Sequence, residues 1–150
     1  MEKPLFSVRL EPAPGSSFTY TGEAILARVI IENTGSSPIA LPLDRALHDG
    51  VFVKITDAND PTLFTYTPRC PGEDEPDENA EVLTTLVPGS AVSFLRPFTR
   101  FQLEQFISPE GDVDVVCELT FLSKVLVGDE WKEQKSKGLV RIKGRRDRTK

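Results

Sequence analysis

Residues 22–43, with the sequence GEAILARVIIENTGSSPIALPL, contain the pattern that decides the fold. Alternate residues from 25 to 31 are all apolar, so an extended strand here has one fully apolar face and one mixed face. Residues 33–35 (Asn-Thr-Gly) end the strand, since Asn and Gly tolerate the positive φ of a tight turn. The extended run 38–43 contains two prolines, which suit an edge strand. The segment therefore predicts the inner hairpin of an antiparallel sheet.

The same alternation continues on both sides of this segment. The further strands that it predicts lie at residues 5–11, 51–56, 63–67, 82–87, 91–94, 112–122, 125–131 and 139–142. Residues 98–107 fit either a strand or a helical turn. We expect seven to nine of these segments to form strands, a number typical of an antiparallel β-sandwich, with a closed barrel as the structural alternative.

Length and charge suggest one domain and a basic end. A chain of 150 residues can bury a core without disulfide or metal staples. Residues 132–150 hold nine Lys or Arg against two acids, whereas the rest of the chain is strongly acidic. We therefore predict a sandwich domain at 1–143, a basic and flexible tail at 144–150, and no nucleic-acid binding by the folded body.

The sequence shows no membrane or secretion signal. No run approaches the roughly 20 apolar residues of a membrane span, and residues 1–7 do not form a signal peptide. We expect a cytoplasmic protein without membrane contact, with a mature secreted fragment as the alternative. Cys117 falls on the apolar face of a predicted strand and Cys70 beside a polar loop, so both are expected as reduced thiols.

Several turn and core positions match a known architecture. They are Gly22, Glu23, Val29, Ile31, Asn33, Thr34, Gly35, Leu86, Pro88, Gly89 and Phe94. These positions resemble the motifs of bacterial immunoglobulin-like modules, which include the bacterial intracellular proteinase inhibitor family. The resemblance implies an immunoglobulin-like sandwich with a binding role, of which protease inhibition is one form.

The residues that could support catalysis are few. His48 is the only histidine, and no Gly-x-Ser-x-Gly nucleophile motif is present, so a catalytic triad is not predicted. His and Cys together offer three metal ligands, fewer than the four of a structural zinc site. The acidic loop 69–81 lacks the spacing of a calcium-binding EF-hand loop. We therefore predict no enzyme activity, no metal and no cofactor.

A binding role for a protein partner remains. We predict a non-catalytic module that acts through loops or an edge strand. The predicted partner-binding residues are Glu73, Asp74, Glu75, Asp77, Glu78 and Trp131. One alternative is a protease inhibitor that presents loop 69–81 or 44–50. The other is a carbohydrate-binding module, for which Tyr20, Tyr66 and Trp131 could supply exposed aromatic rings.

Overall fold

A computed structural model describes residues 5–43, 51–67 and 82–146. These residues form ten strands and one short helix. The elements are β1 (Phe6–Pro12), β2 (Thr19–Tyr20), β3 (Ile25–Asn33), β4 (Ile39–Leu41), β5 (Val51–Asp57), β6 (Asp60–Thr67), β7 (Thr84–Leu86), β8 (Ala91–Phe98), α1 (Arg100–Leu103), β9 (Asp112–Val127) and β10 (Glu130–Arg145). β2, β4 and β7 have only two or three residues each. Among the described residues no helix is long and apolar enough to cross a membrane.

The strands form two sheets. The smaller sheet has the order β1-β3-β8, and the larger has the order β2-β10-β9-β4-β7, with β5 also paired to β9 and β6 paired to β5. All pairs are antiparallel except β2 with β10, which is parallel. The prediction of an all-β antiparallel sandwich is confirmed.

The core lies between the sheets and consists of the inward residues of each strand. Alternate residues from Ile25 to Ile31 on β3 are buried, as the sequence pattern predicts. On the other sheet the inward residues of β9 from Val113 to Phe121 are also buried. The rings of Phe6 and Phe121 meet edge to face with centroids 5.6 Å apart, which joins the two sheets.

The predicted hairpin within residues 22–43 is wrong. β3 pairs with β1 and β8, whereas β4 pairs with β7 and β9 in the other sheet. The connection depends on the Asn33 side chain, whose Nδ2 donates to the carbonyl oxygens of Ser37 (2.9 Å) and Leu86 (2.8 Å). Its Oδ1 accepts from the Gly35 N–H at 2.9 Å, and neither Asn33 nor Gly35 has a positive φ. A side-chain bridge, and not a tight turn, therefore takes the chain between sheets.

The strand pair at the C-terminal side is longer than predicted. β9 continues through Ser123 to Val127, and β10 pairs with it along all 16 residues of each strand. The turn lies at Gly128, where φ is +60°, inside the segment 125–131, so the prediction of one continuous strand there is wrong. Ser123, just beyond the predicted end of the strand at residue 122, is buried, and its hydroxyl donates to the Lys124 carbonyl oxygen at 2.9 Å.

Two further predictions concern element boundaries. The helical-turn alternative for residues 98–107 is correct, since α1 begins after a capping box between Thr99 and Gln102. β10 runs to Arg145, beyond the predicted boundary at residue 143. Residues 144–146 therefore do not form the flexible tail that we predicted, and residues 147–150 lie outside the described residues.

Candidate functional site

Most of the predicted site lies outside the described residues. This applies to Glu73, Asp74, Glu75, Asp77 and Glu78, to His48 and Cys70, and to both loops considered for protease inhibition. Trp131 is described: it lies on β10 opposite Leu126, and its side chain is 52% exposed. The acidic segment follows β6 and precedes β7, and both strands lie two places from β9 in the same sheet.

β6 forms because its hairpin with β5 has well-defined turn chemistry. Oδ1 of Asp57 accepts the Asn59 N–H at 3.1 Å, which closes the turn. Oδ1 of Asp60 accepts both the N–H (3.1 Å) and the hydroxyl (2.7 Å) of Thr62, which fixes the start of β6. Within the described part of the chain β6 pairs with β5 alone, so its second edge has no strand partner there.

The exposed side chains of β6 are large and uncharged. Leu63, Phe64 and Tyr66 are 43%, 51% and 57% exposed. No residue from 61 to 67 carries a charge, although 27% of the chain is charged. Phe64 and Tyr66 point to the outer face, opposite Thr56 and Lys54 on β5. Apart from Asp60 and Pro61 at its start, β6 lacks the charges and prolines that normally protect sheet edges from other chains.

One aromatic ring on this face already contacts the ammonium group of a lysine. Nζ of Lys54 lies 4.6 Å from the centroid of the Phe64 ring, within the range of a cation–π interaction. Lys54 is also opposite Tyr66 across the β5–β6 pair. The outer face of β6 therefore combines two rings with one neighbouring positive charge.

The other long edges are protected. β8 contains Arg96 and Pro97, and a proline cannot donate a ladder hydrogen bond. The edge of β10 lies against β1: the Ser136 hydroxyl donates to the Phe6 carbonyl oxygen at 2.8 Å, and the Leu5 N–H donates to Gln134 Oε1 at 2.7 Å. β6 has a charge and a proline only at its start, Asp60 and Pro61, so residues 62–67 are the longest edge segment without either among the described strands.

A cluster of titratable groups lies elsewhere, where β2, α1 and the end of β10 meet. Glu104 accepts hydrogen bonds from the Tyr20 hydroxyl, from Arg146 and, at 3.3 Å, from Nε of Arg100. These bonds, above all that from Arg146, lower the pKa of Glu104 to about 2. Burial and the bond to Glu104 raise the pKa of Tyr20 to about 12. Because the groups satisfy one another, the cluster joins three elements and its role is structural.

The three aromatic residues considered for sugar binding do not form a platform. Tyr20 is only 1% exposed, so its ring is unavailable. Across the sheet, Tyr66 lies opposite Lys54, Lys54 lies opposite Glu118, and Glu118 lies opposite Leu139. Trp131 lies eight residues before Leu139 on β10. At about 3.3 Å per residue that offset is roughly 26 Å along the strand. Tyr66 and Trp131 are therefore too far apart to stack on one short saccharide.

The sequence predicts β6 as a strand but not as an edge strand. Its residues 63–67 were predicted as a strand, which is confirmed, but no binding role was given to Leu63 or Phe64. The uncharged run 61–68 does not single out this strand, because longer uncharged runs occur at 12–22, 33–43 and 82–95. Which strand would lie at the edge was not available, because alternation reports buried faces and not strand neighbours.

Comparisons with known proteins give structural similarity only. No family model matches the chain, and no curated protein matches it, so the resemblance to the proteinase inhibitor family stays a prediction. Spo0M, a sporulation control protein from Bacillus subtilis, is similar over 95% of this chain at 13% identity, with a TM-score of 0.48. The chain spans 50% of the length of Spo0M.

Two other solved structures show similarity at the same level. A Bordetella pertussis protein described as ApaA is similar over 96% of this chain and 94% of its own, at 13% identity and a TM-score of 0.42. A late embryogenesis abundant (LEA) protein is similar over 93% of this chain and 71% of its own, at 13% identity and a TM-score of 0.43. These scores support no functional inference.

Proposed function

We propose that the protein is a non-catalytic, immunoglobulin-like protein-binding module that takes up an extended segment of its partner at the edge of β6. The observation that carries the proposal is the edge of β6 that no described strand pairs, uncharged from 61 to 67, with Leu63, Phe64 and Tyr66 exposed on it. The proposal therefore favours an edge strand over loops as the main binding element.

The physical basis is strand addition. An extended peptide that lies beside β6 gains main-chain hydrogen bonds to the N–H and C=O groups that β6 directs away from β5. Its alternate side chains then contact Phe64 and Tyr66 on the outer face, which gives specificity. Burial of the two rings adds the hydrophobic contribution.

The charge of the partner follows from the sequence around β6. Residues 73–81 contain six acids and no base, and they follow β6 in the chain. We therefore expect a basic partner segment, whose approach is accelerated by opposite charge. Trp131 lies roughly 26 Å along the strands from the position of Tyr66, so we assign it a contact with the body of the partner and not with the segment beside β6.

A peptide-display library of random linear segments tests this proposal directly. We expect the selected peptides to be basic and β-prone, and their binding to slow amide hydrogen exchange in residues 61–67, because strand addition protects the free N–H groups. The double variant Phe64→Lys/Tyr66→Lys should lose most of this binding, since it removes both rings and adds like charge.

The matched control is Ser93→Lys/Leu95→Lys, which places the same two charges, two residues apart, at exposed positions on the other sheet. It should leave peptide binding unchanged. Selected peptides that bind the Phe64→Lys/Tyr66→Lys variant as well as the parent, or that protect residues outside β6 only, would contradict the proposal.

A further inference from the structure

The sequence of β6 is close to self-complementary around Thr65. On either side of this threonine stands one aromatic residue, Phe64 before it and Tyr66 after it. We infer that a second copy of this chain pairs with β6 antiparallel, with the two-fold axis at Thr65. The inference rests on the same free edge as the proposed function, and it names a second occupant that competes with the partner segment.

This register creates favourable cross-strand pairs. Phe64 comes opposite the partner's Tyr66, Tyr66 comes opposite the partner's Phe64, and the two copies of Thr65 face each other. Aromatic–aromatic and Thr–Thr pairs are among the stabilising combinations across antiparallel strands. A two-fold axis makes the interface isologous, so it closes at two copies and does not continue into a fibre.

The electrostatics of the edge agree with a second copy. Residues 61–67 carry no charge, so no ionised group loses water and no like charges face each other across the pair. Lys54, whose amine lies over the Phe64 ring, is next to Tyr66 in the β5–β6 pair. In the dimer, Lys54, Tyr66 of the same copy and Phe64 of the other copy therefore lie side by side on the outer face.

The whole molecules nevertheless repel each other, because each carries a net charge of −5. Salt screens this repulsion, so the dimer should strengthen as ionic strength rises. Binding of a basic peptide at β6, as in the proposed function, should instead weaken as ionic strength rises. The two occupants of the edge are therefore distinguished by the sign of their salt dependence.

The interface is small. Pairing of two edge strands and four rings buries less than the roughly 1,200–2,000 Å² typical of stable complexes. We therefore expect a reversible dimer whose population depends on protein concentration, and not a permanent one.

Sedimentation velocity of the unmodified chain, from micromolar to near-millimolar concentration at low and high salt, is the first test. We expect a shift from monomer to dimer with concentration, larger at high salt. The variant Thr65→Lys places two ammonium groups on the axis and should remain monomeric. Ser93→Lys, on the exposed side of β8, is the matched control and should dimerise like the parent.

Cross-linking tests the register. In a Cys70→Ser background, Thr65→Cys should form an intermolecular disulfide under mild oxidation, because position 65 faces itself. Leu63→Cys should cross-link far less, since its neighbour across the pair is position 67. Ser93→Cys controls for random collision. Cys117 is buried and does not interfere.

A chain that stays monomeric at all concentrations and salts, with no excess Thr65→Cys cross-linking over Ser93→Cys, would overturn the inference. Preferential cross-linking at position 63 would overturn the register. Neither result bears on peptide capture at β6, because that is measured on the monomer at low concentration. Loss of peptide capture with the dimer intact would instead remove the proposed function.

Discussion

Glu104 is the residue on which three separate elements converge. It accepts hydrogen bonds from Tyr20 of β2, from Arg100 of α1 and from Arg146 just after β10. Its carboxylate is only 12% exposed, so these charge-assisted bonds are only partly weakened by water. The end of β10 and the short helix are therefore held together by one ionised side chain.

The pH dependence of stability should report this role. The pKa of Glu104 falls from its ordinary value of 4.5 to about 2 on folding, so its contribution is complete above pH 4.5 and is lost as pH falls through about 2. Glu104→Gln should lower the free energy of unfolding by about 2 kcal/mol at neutral pH. The difference from the parent should shrink steadily below pH 4.5.

Urea unfolding of both proteins at a series of pH values measures this effect. Glu133→Gln, at an exposed position on β10, is the control and should follow the parent at every pH. A Glu104→Gln deficit that is as large near pH 2 as at pH 7 would mean that packing, and not the charge, is what the residue contributes.

At the same scale, Asn33 shows what the sequence could and could not predict. The end of β3 at Asn33 was predicted correctly, because Asn and Gly commonly follow strands. The prediction of a tight turn with positive φ was wrong, since the Asn33 amide bridges to Ser37 and Leu86 and the backbone keeps negative φ. Leu86 is 53 residues away in sequence, and no local pattern identifies such a partner.

Among the elements, β2 can pair with β10 only because the residue of β10 opposite Tyr20 is a glycine. A Cβ at Gly144 would lie 2.1 Å from the Tyr20 carbonyl oxygen, well inside van der Waals contact. The parallel pair of β2 with β10, in which Gly144 lies opposite Tyr20, therefore requires glycine at this position.

Gly144→Ala should separate the two strands and release part of the Tyr20 contact with Glu104. We expect a loss of about 1–3 kcal/mol, as for other overpacked sites, measured as a lower Tm. Gly35→Ala is the matched control, because its Cβ would find only an ordinary contact at 3.5 Å and its φ is not positive. An unchanged Tm for Gly144→Ala would show that β2 is not needed for stability.

The inward faces of the long strands were predictable, whereas their partners were not. Alternation along β3 and β9 identified the buried residues correctly, because period 2 follows directly from strand geometry. The same alternation fits any antiparallel neighbour, so β4 was paired with β3 although it belongs to the other sheet. Sheet membership was decided by long-range contacts that only the folded chain displays.

For the whole molecule, the net charge decides how it meets a partner. The acidic segment adds negative charge beside the β6 edge in the sequence, so association with a basic partner should slow as salt rises. Neutralising Glu73, Asp74, Glu75, Asp77 and Glu78 together should reduce the association rate severalfold, remove most of its salt dependence and leave Tm unchanged.

Stopped-flow or biosensor kinetics with a basic peptide selected at β6 measure this rate. Glu130→Gln/Glu133→Gln, which removes acids from β10 on the far side of β9, is the control and should change the rate little. An unaltered rate in the five-fold variant would exclude the acidic segment from the encounter, while binding at β6 itself would stand.

The strand pairs also differ in how far apart along the chain their members lie. β9 and β10 are joined by a two-residue turn, and β5 and β6 are similarly close in sequence. Each of these hairpins can therefore form within microseconds. In the smaller sheet Ile25 lies opposite Phe98, and the loop between them must close before this pair forms. We therefore expect the long hairpin to be structured early in the folding transition state. The long-range pairs, β3–β8 and β2–β10, should set the overall folding time, in the millisecond-to-second range of sandwich proteins.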